Sequence, residues 1–278
     1  MLFRSGVTCA ITGPGSANVL GGTFLALKLS GKCVDEMVVK NPVAMKAAFG
    51  ENPKNCYGQQ EKKIPMTRMG IAALLREELS AARDYDRKRK EGKDIDVNLA
   101  YEALLPVLHR EIPLKCHAHR ADDILTALRI THEFDLRVTL DHCTEGHLIA
   151  DILAKEGFPV LVGPSLGSKS KIELKNKSFE TVNLLYQAGL SVSIITDSPV
   201  IPLEYLPLCA GLAIKAGLPE EAAWKAITIN PAKATGIEDR LGSLAPGKDA
   251  DIVIFEGNPL RDIQATPRQV FLDGKPQL

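Results

Sequence analysis

Short apolar runs alternate with longer amphipathic stretches along most of this chain. That is the pattern of strands followed by helices, and it predicts βα units around a parallel sheet. Strands are expected over residues 7–12, 23–28 and 43–49. A long helix is expected from 68 to about 89, and a second over 98–109 with Pro106 as a kink point. Four clearer units follow. A strand at 114–117 leads to a helix at 122–133, and one at 137–142 leads to a helix at 145–156. A strand at 158–162 leads to a helix at 178–188, and one at 191–196 leads to helices between 203 and 229.

Counted in one direction of winding, these strands fall one short of a closed eight-stranded barrel. The expected fold is α/β: a TIM-like barrel missing its first strand, over residues 1–236. After Gly236 the pattern shifts to short β segments at 242–244, 250–255 and 269–272, with turns at 245–249 and 273–275. Residues 237–278 are therefore expected to form a small C-terminal β appendage, part of a β-sandwich.

Charge adds an exclusion. Lys+Arg and Asp+Glu are both 34, so the net charge is zero and nothing favours nucleic acid or an anionic membrane. The mixed-charge run at 83–91 reads as a solvated helix end. No apolar run approaches transmembrane length, and the first residues lack the apolar stretch of a signal peptide. The six cysteines (Cys9, Cys33, Cys56, Cys116, Cys143 and Cys209) are scattered, which predicts reduced thiols and a cytoplasmic protein.

Chemistry concentrates where apolar runs end. Lys115, His117 and His119 are two apart and share a strand face. His142 closes the next strand and Asp197 closes the last. Barrel enzymes place their chemistry at such C-terminal strand ends, and His117, His142 and Asp197 together suit a divalent metal. His109 and His132 fall on helices and read as surface or packing residues. Gly13-Pro14-Gly15-Ser16 lacks the ending of a phosphate-binding loop. The loop Ser165–Lys171 suits either a substrate carboxylate or phosphate, or plain solvent. Trp224 reads as core or interface.

Several stretches carry a resemblance. They are Gly6-Val7-Thr8 with Thr12-Gly13-Pro14-Gly15, then 117–124 (His-Ala-His-Arg-Ala-Asp-Asp-Ile) and 141–147 (Asp-His-Cys-Thr-Glu-Gly-His). Thr196-Asp197-Ser198-Pro199, 230–236 and the highly specific 242–251 complete the set. Through them the chain resembles the amidohydrolase superfamily of metal-dependent hydrolases, above all its imidazolonepropionase-like and prolidase-like members.

The resemblance implies His117 and His142 as metal ligands. It implies Asp197 as metal ligand and general base, acting on a metal-activated water to cleave a C–N bond. Zinc is the expected ion, with iron and manganese also fitting. An extra ligand is expected from Lys46 or Glu51, and Glu51 is preferred because it sits at the barrel mouth. His119, Arg120 and His147 are expected to touch the substrate, a small amide or dipeptide-like molecule. The superfamily's His-x-His strand has no counterpart here. That absence predicts an exposed sheet edge and a homo-oligomer. It also keeps open a second function, that of a catalytically inactive truncated homologue serving as scaffold or subunit.

Overall fold

The computed structural model describes residues 2–277. Its body is a seven-stranded sheet in the order β1-β2-β3-β4-β5-β6-β7. The strands are β1 (Cys9–Thr12), β2 (Leu20–Lys28), β3 (Val38–Ala48), β4 (Leu114–Ala118), β5 (Val138–His142), β6 (Val160–Val162) and β7 (Val192–Ile194). From β3 to β7 every neighbouring pair is parallel. The first two strands depart from a single direction of winding: β1 pairs antiparallel with β2, and β2 with β3. The connections explain it. Residues 13–19 and 29–37, the latter with only the one-turn helix α1 (Val34–Met37), are too short to carry a parallel crossover.

Helices separate the parallel strands. Between β3 and β4 lie α2 (Glu51–Lys54), α3 (Arg68–Lys90) and α4 (Leu99–Leu108). Then come α5 (Ala121–Phe134) after β4, α6 (Ala150–Glu156) after β5 and α7 (Thr181–Gln187) after β6. The chain passes from β7 through α8 (Leu206–Lys215), α9 (Glu220–Ala226) and α10 (Ile229–Thr235). Thr67 caps α3 by accepting from the Gly70 amide, and Ile71, Leu75, Leu79 and Ala82 bury one face of it. Its charged tail is solvated and laced by pairs such as Lys88–Asp84 and Lys90–Asp86. The helix expected at 145–156 is split, because a 3-10 turn over Gly146–Ile149 precedes α6.

The result is an incomplete TIM-like barrel with a main apolar core between sheet and helices, and a second apolar cluster that joins β2 and β3 to α10. Asn230 Nδ2 donates to the Val192 carbonyl at 2.7 Å, so α10 satisfies part of the β7 edge. Among the described residues no helix is long and apolar enough to cross a membrane. All six cysteines are free.

The appendage is an antiparallel sheet of β8 (Ile252–Glu256), β9 (Thr266–Leu272) and β10 (Lys275–Pro276). The strand expected at 242–244 does not form. Gly242 has φ +88°, and a Cβ there would meet Ala232 Cβ at 2.9 Å. Close packing on α10 thus holds a left-handed turn that no strand can continue. Lys28, buried at the end of β2, ties the appendage to the barrel through Asp249 at 2.8 Å and Asp251 at 3.0 Å, and also meets Asp273.

Candidate metal centre

Strands β4 and β5 set the histidines. Their register pairs Lys115 with Thr139, His117 with Asp141 and Ala118 with His142, so both strands end at the same mouth. The chain leaves β5 in left-handed backbone, with φ +72° at His142 and +44° at Cys143. Non-glycine residues reach that region only where packing enforces it, often at functional sites. His117, His119 and His142 converge. Their ring centroids are 4.3–4.8 Å apart. Their potential ligand nitrogens all lie within 4.8 Å of one another, and all three side chains are buried.

Hydrogen bonds fix which nitrogens are available. His142 Nδ1 donates to the Gly163 carbonyl at 2.6 Å, which leaves Nε2 as the acceptor. Gly163 is required there: it has φ +139°, and a Cβ would stand 2.1 Å from the Ile195 carbonyl oxygen. His117 Nε2 faces Asn52 Nδ2 at 3.2 Å, and its Nδ1 faces Ser16 Oγ at 3.0 Å. Lys171 donates to Asn52 Oδ1, which turns the amide nitrogen towards His117. His117 Nε2 is therefore an unprotonated acceptor, and its lone pair is taken by Asn52. His119 differs, with Nδ1 paired to Thr144 Oγ1 at 2.7 Å and Nε2 facing the Glu173 carboxylate at 3.8 Å.

All three rings are neutral at pH 7. Burial pushes His142 down to about 3, helped by Lys46 and opposed by the Gly163 carbonyl. Burial and His142 push His119 down to about 2. His117 is held well below its ordinary value by burial, His142 and His119. Neutral imidazole is the form that binds metal.

Below the histidines lies a buried pair of opposite charges. Lys115 Nζ meets Asp141 at 2.8 Å, and Thr139 Oγ1 lies 3.3 Å from the same carboxylate. Lys46, opposite Lys115 in the sheet, is buried too. Burial lowers its pKa, while Asp141 and Asp197 work to raise it. The Phe24 ring lies 5.7 Å from the Lys46 ammonium and 5.5 Å from that of Lys115.

The other residues singled out from the sequence lie outside the histidine cluster. Asp197 follows β7 with φ +51° and is exposed by area, yet enough protein surrounds its carboxyl to raise its pKa by desolvation. Glu51 opens α2, and its carboxylate accepts from the Glu173 amide at 3.2 Å. The Glu51 amide in turn donates to Glu173 Oε2 at 2.8 Å. Arg120 pairs with Asp122 at 2.9 Å. His147, on the 3-10 turn before α6, faces Thr181 Oγ1 at 3.3 Å.

Ser16, Asn52, Thr144 and Glu173 were not legible from the sequence. All four come from segments without strand periodicity. The one available signal was Thr144, which lies two residues beyond His142.

Comparison with known proteins follows the same lines. The sequence model of the Amidohydrolase family matches residues 108–276. A solved amidohydrolase from Thermotoga maritima MSB8 is 42% identical and superimposes with a TM-score of 0.96, covering 100% of this chain and 73% of that one. Amidohydrolase tasK of Hapsidospora irregularis is 28% identical over 307 residues, covering 100% of this chain and 31% of its own length. An imidazolonepropionase of Geobacillus kaustophilus is 43% identical over 77 residues, which is 26% of this chain and 18% of the enzyme. This chain thus spans about a third or less of these curated relatives.

Proposed function

This chain belongs to the amidohydrolase family, and on that premise we propose that it binds a divalent cation and hydrolyses a C–N bond in a small amide. One observation carries the reading: three buried neutral imidazoles converge with their potential ligand nitrogens within 4.8 Å of one another, and His142 turns an unprotonated Nε2 away from its Gly163 bond. That donor set suits zinc, and iron or manganese as well. A bound ion there would supply Lewis acidity, polarising the scissile carbonyl and acidifying water.

The protein's own part is positioning and proton transfer. Asp197 takes a proton from the attacking water on a carboxylate oxygen and returns it to the leaving nitrogen. Its raised pKa makes it a stronger base than an ordinary carboxylate. His119, fixed by Thr144, faces the substrate. His147 and Arg120 contribute from the rim. Glu51 at the mouth and Lys46 beneath it are the two positions for an additional ligand, and Glu51→Gln and Lys46→Met separate them by metal content.

The test is metal per chain by plasma mass spectrometry, on protein purified without chelator or histidine tag. The expected result is about one equivalent, lost in His142→Ala. Turnover of an amide and dipeptide panel should follow metal content. Metal no higher than in the variant refutes the reading. Full metal without turnover would favour a scaffold or subunit role.

A further inference from the structure

Glu173 is a fully buried carboxylate set beside neutral rings. It arrives on a three-residue 3-10 turn, Ile172–Leu174, and its side chain is 0% exposed. The fold makes room for it. Gly50 has φ +83°, and a Cβ there would stand 2.6 Å from Glu173 Oε2. That oxygen accepts from the Glu51 amide at 2.8 Å. Arg68 lies 3.7 Å from Oε2 and Lys171 lies 3.7 Å from Oε1, so each oxygen has a cation nearby, as a buried carboxylate requires.

The other oxygen, Oε1, has no hydrogen-bond partner among the described residues. Buried polar atoms are rarely left so, and an orphan beside a functional cluster calls for a reason. Lys171 is engaged elsewhere, donating to Asn52 Oδ1. The ring facing Oε1 is His119, whose Nε2 lies 3.8 Å away. At that length the contact is electrostatic rather than a formed hydrogen bond. It still has a sign. In a buried site a carboxylate attracts an N–H and repels a lone pair, with little water to screen either. The opposite nitrogen agrees, since Nδ1 lies 2.7 Å from Thr144 Oγ1, a hydroxyl able to donate.

We infer that Glu173 is a positioning residue that acts through His119: it draws the ring proton onto Nε2 and leaves the lone pair on Nδ1. Among the described residues it is the one carboxylate within ion-pair distance of any of the three clustered rings. The rings are thus set by three different partners: a backbone carbonyl for His142, an amide for His117 and a charge for His119. An imidazole whose N–H faces a carboxylate is a more basic acceptor at its other nitrogen. That this lone pair serves a hydrolytic site rests on the hydrolase reading; the position of the proton does not.

The test is nitrogen-15 NMR of the full metal-free chain with labelled histidine, near neutral pH, with His119→Gln to identify the signals of that ring. The expected spectrum shows Nε2 protonated and Nδ1 bare. In Glu173→Gln the Glu51 amide keeps the side-chain oxygen, which turns the amide nitrogen to His119, so the proton should move to Nδ1. Glu173→Leu has neither donor nor acceptor and should leave a mixture of tautomers. Asn176→Ala removes the tie of the same loop to Glu145 and should leave the parent tautomer. Zinc affinity, measured by competition with a chelating dye, should fall about 10-fold or more in Glu173→Gln and stay near parental in Asn176→Ala. Thermal melts establish that the variants are folded. A parent ring protonated on Nδ1, Nε2 protonation retained in both Glu173 variants, or zinc affinity unchanged in Glu173→Gln would each overturn the inference. The expected tautomers without zinc uptake by the parent chain sink the hydrolase reading and spare this one. Zinc uptake with the opposite tautomer does the reverse.

Discussion

Replacing Lys28 by Met removes the one cation that three carboxylates share. Lys28 Nζ meets Asp249 at 2.8 Å, Asp251 at 3.0 Å and Asp273. The side chains of Lys28 and Asp251 are each only 6% exposed, and that of Asp249 is 17% exposed. Asp273, at 56%, is solvated and contributes little. Asp249 keeps a second partner in Arg240 at 2.7 Å, but Asp251 is left as a buried charge without a cation. Removing one member of a buried pair costs about 3–5 kcal/mol. With a urea m-value of about 3 kcal/mol/M, the midpoint should fall by about 1–1.7 M.

The pH dependence has a definite sign. Burial works to raise the Asp249 carboxyl, but Lys28 and Arg240 hold it below its ordinary 3.8. Burial works to lower Lys28, but Asp249, Asp273 and Asp251 raise it above 10.5. The depressed carboxyl stabilises the fold above about 4 and loses that effect as pH falls through its folded value. The raised ammonium stabilises below about 10.5 and loses its effect as pH rises through its folded value. The Lys28→Met penalty should thus stay flat from about pH 5 to 9 and shrink below about 4. The assay is urea unfolding followed by circular dichroism. Adding Asp251→Asn, which keeps an Oδ1 acceptor for the Asp273 amide, should recover at least ~1 kcal/mol. A midpoint within ~0.2 M of the parent chain, or a double variant no better than the single one, refutes the reasoning.

Gly163→Ala should lower the melting temperature by several degrees and weaken metal retention about 10–100-fold, because its Cβ displaces the carbonyl that orients His142. Unchanged retention would count against that orienting role. Glu145→Ala should cost about 2–4 kcal/mol and speed proteolysis within 165–177, since it frees the α5 amide and Asn176 together; an unaltered cleavage rate would contradict it. The metal-free chain should lose stability as pH falls from about 6.5 to 5.5. There the unfolded chain binds protons that the depressed imidazoles refuse, by up to ~1.4 kcal/mol per pH unit for each ring. The slope is read against His142→Asn, and a midpoint that rises on acidification in this difference would overturn the assignment of neutral rings.

The strand ends were legible because they combine two signals, an apolar run and a polar residue closing it. Leu114–Ala118 and Val138–His142 show both, which puts His117 and His142 at one mouth on sequence grounds alone. His119 was placed with the substrate, and the structure adds it to the cluster, with Thr144 and Glu173 on its two nitrogens. Glu173 was out of reach, since it arrives on a three-residue 3-10 turn with no periodicity to mark it. The direction of β1 and β2 was misread for a related reason. Alternation sets which face of a strand is buried, whereas the length of the connection decides whether its neighbour runs parallel.

The tail motif at 242–251 is the most recognisable stretch of the sequence, yet it contributes no residue to the histidine cluster. Its position in the fold explains what it does. Asp249 and Asp251 grip Lys28 at one end of β2. Towards the other end of that strand, Gly22 is paired with Lys46, and Phe24 lies near the ammoniums of Lys46 and Lys115. The loop before β2 carries Ser16 to His117. One strand therefore joins the appendage, the buried lysines and a metal-site histidine, and because it pairs antiparallel on both sides its register is set by residues far from the mouth. A slip of β2 by one residue would move Phe24 to the opposite face of the sheet. The appendage then serves the chemistry by holding a register. Loosening it at Lys28 should lower metal retention even though no ligand is touched, and retention unchanged in Lys28→Met at temperatures where that variant stays folded would break the connection argued here.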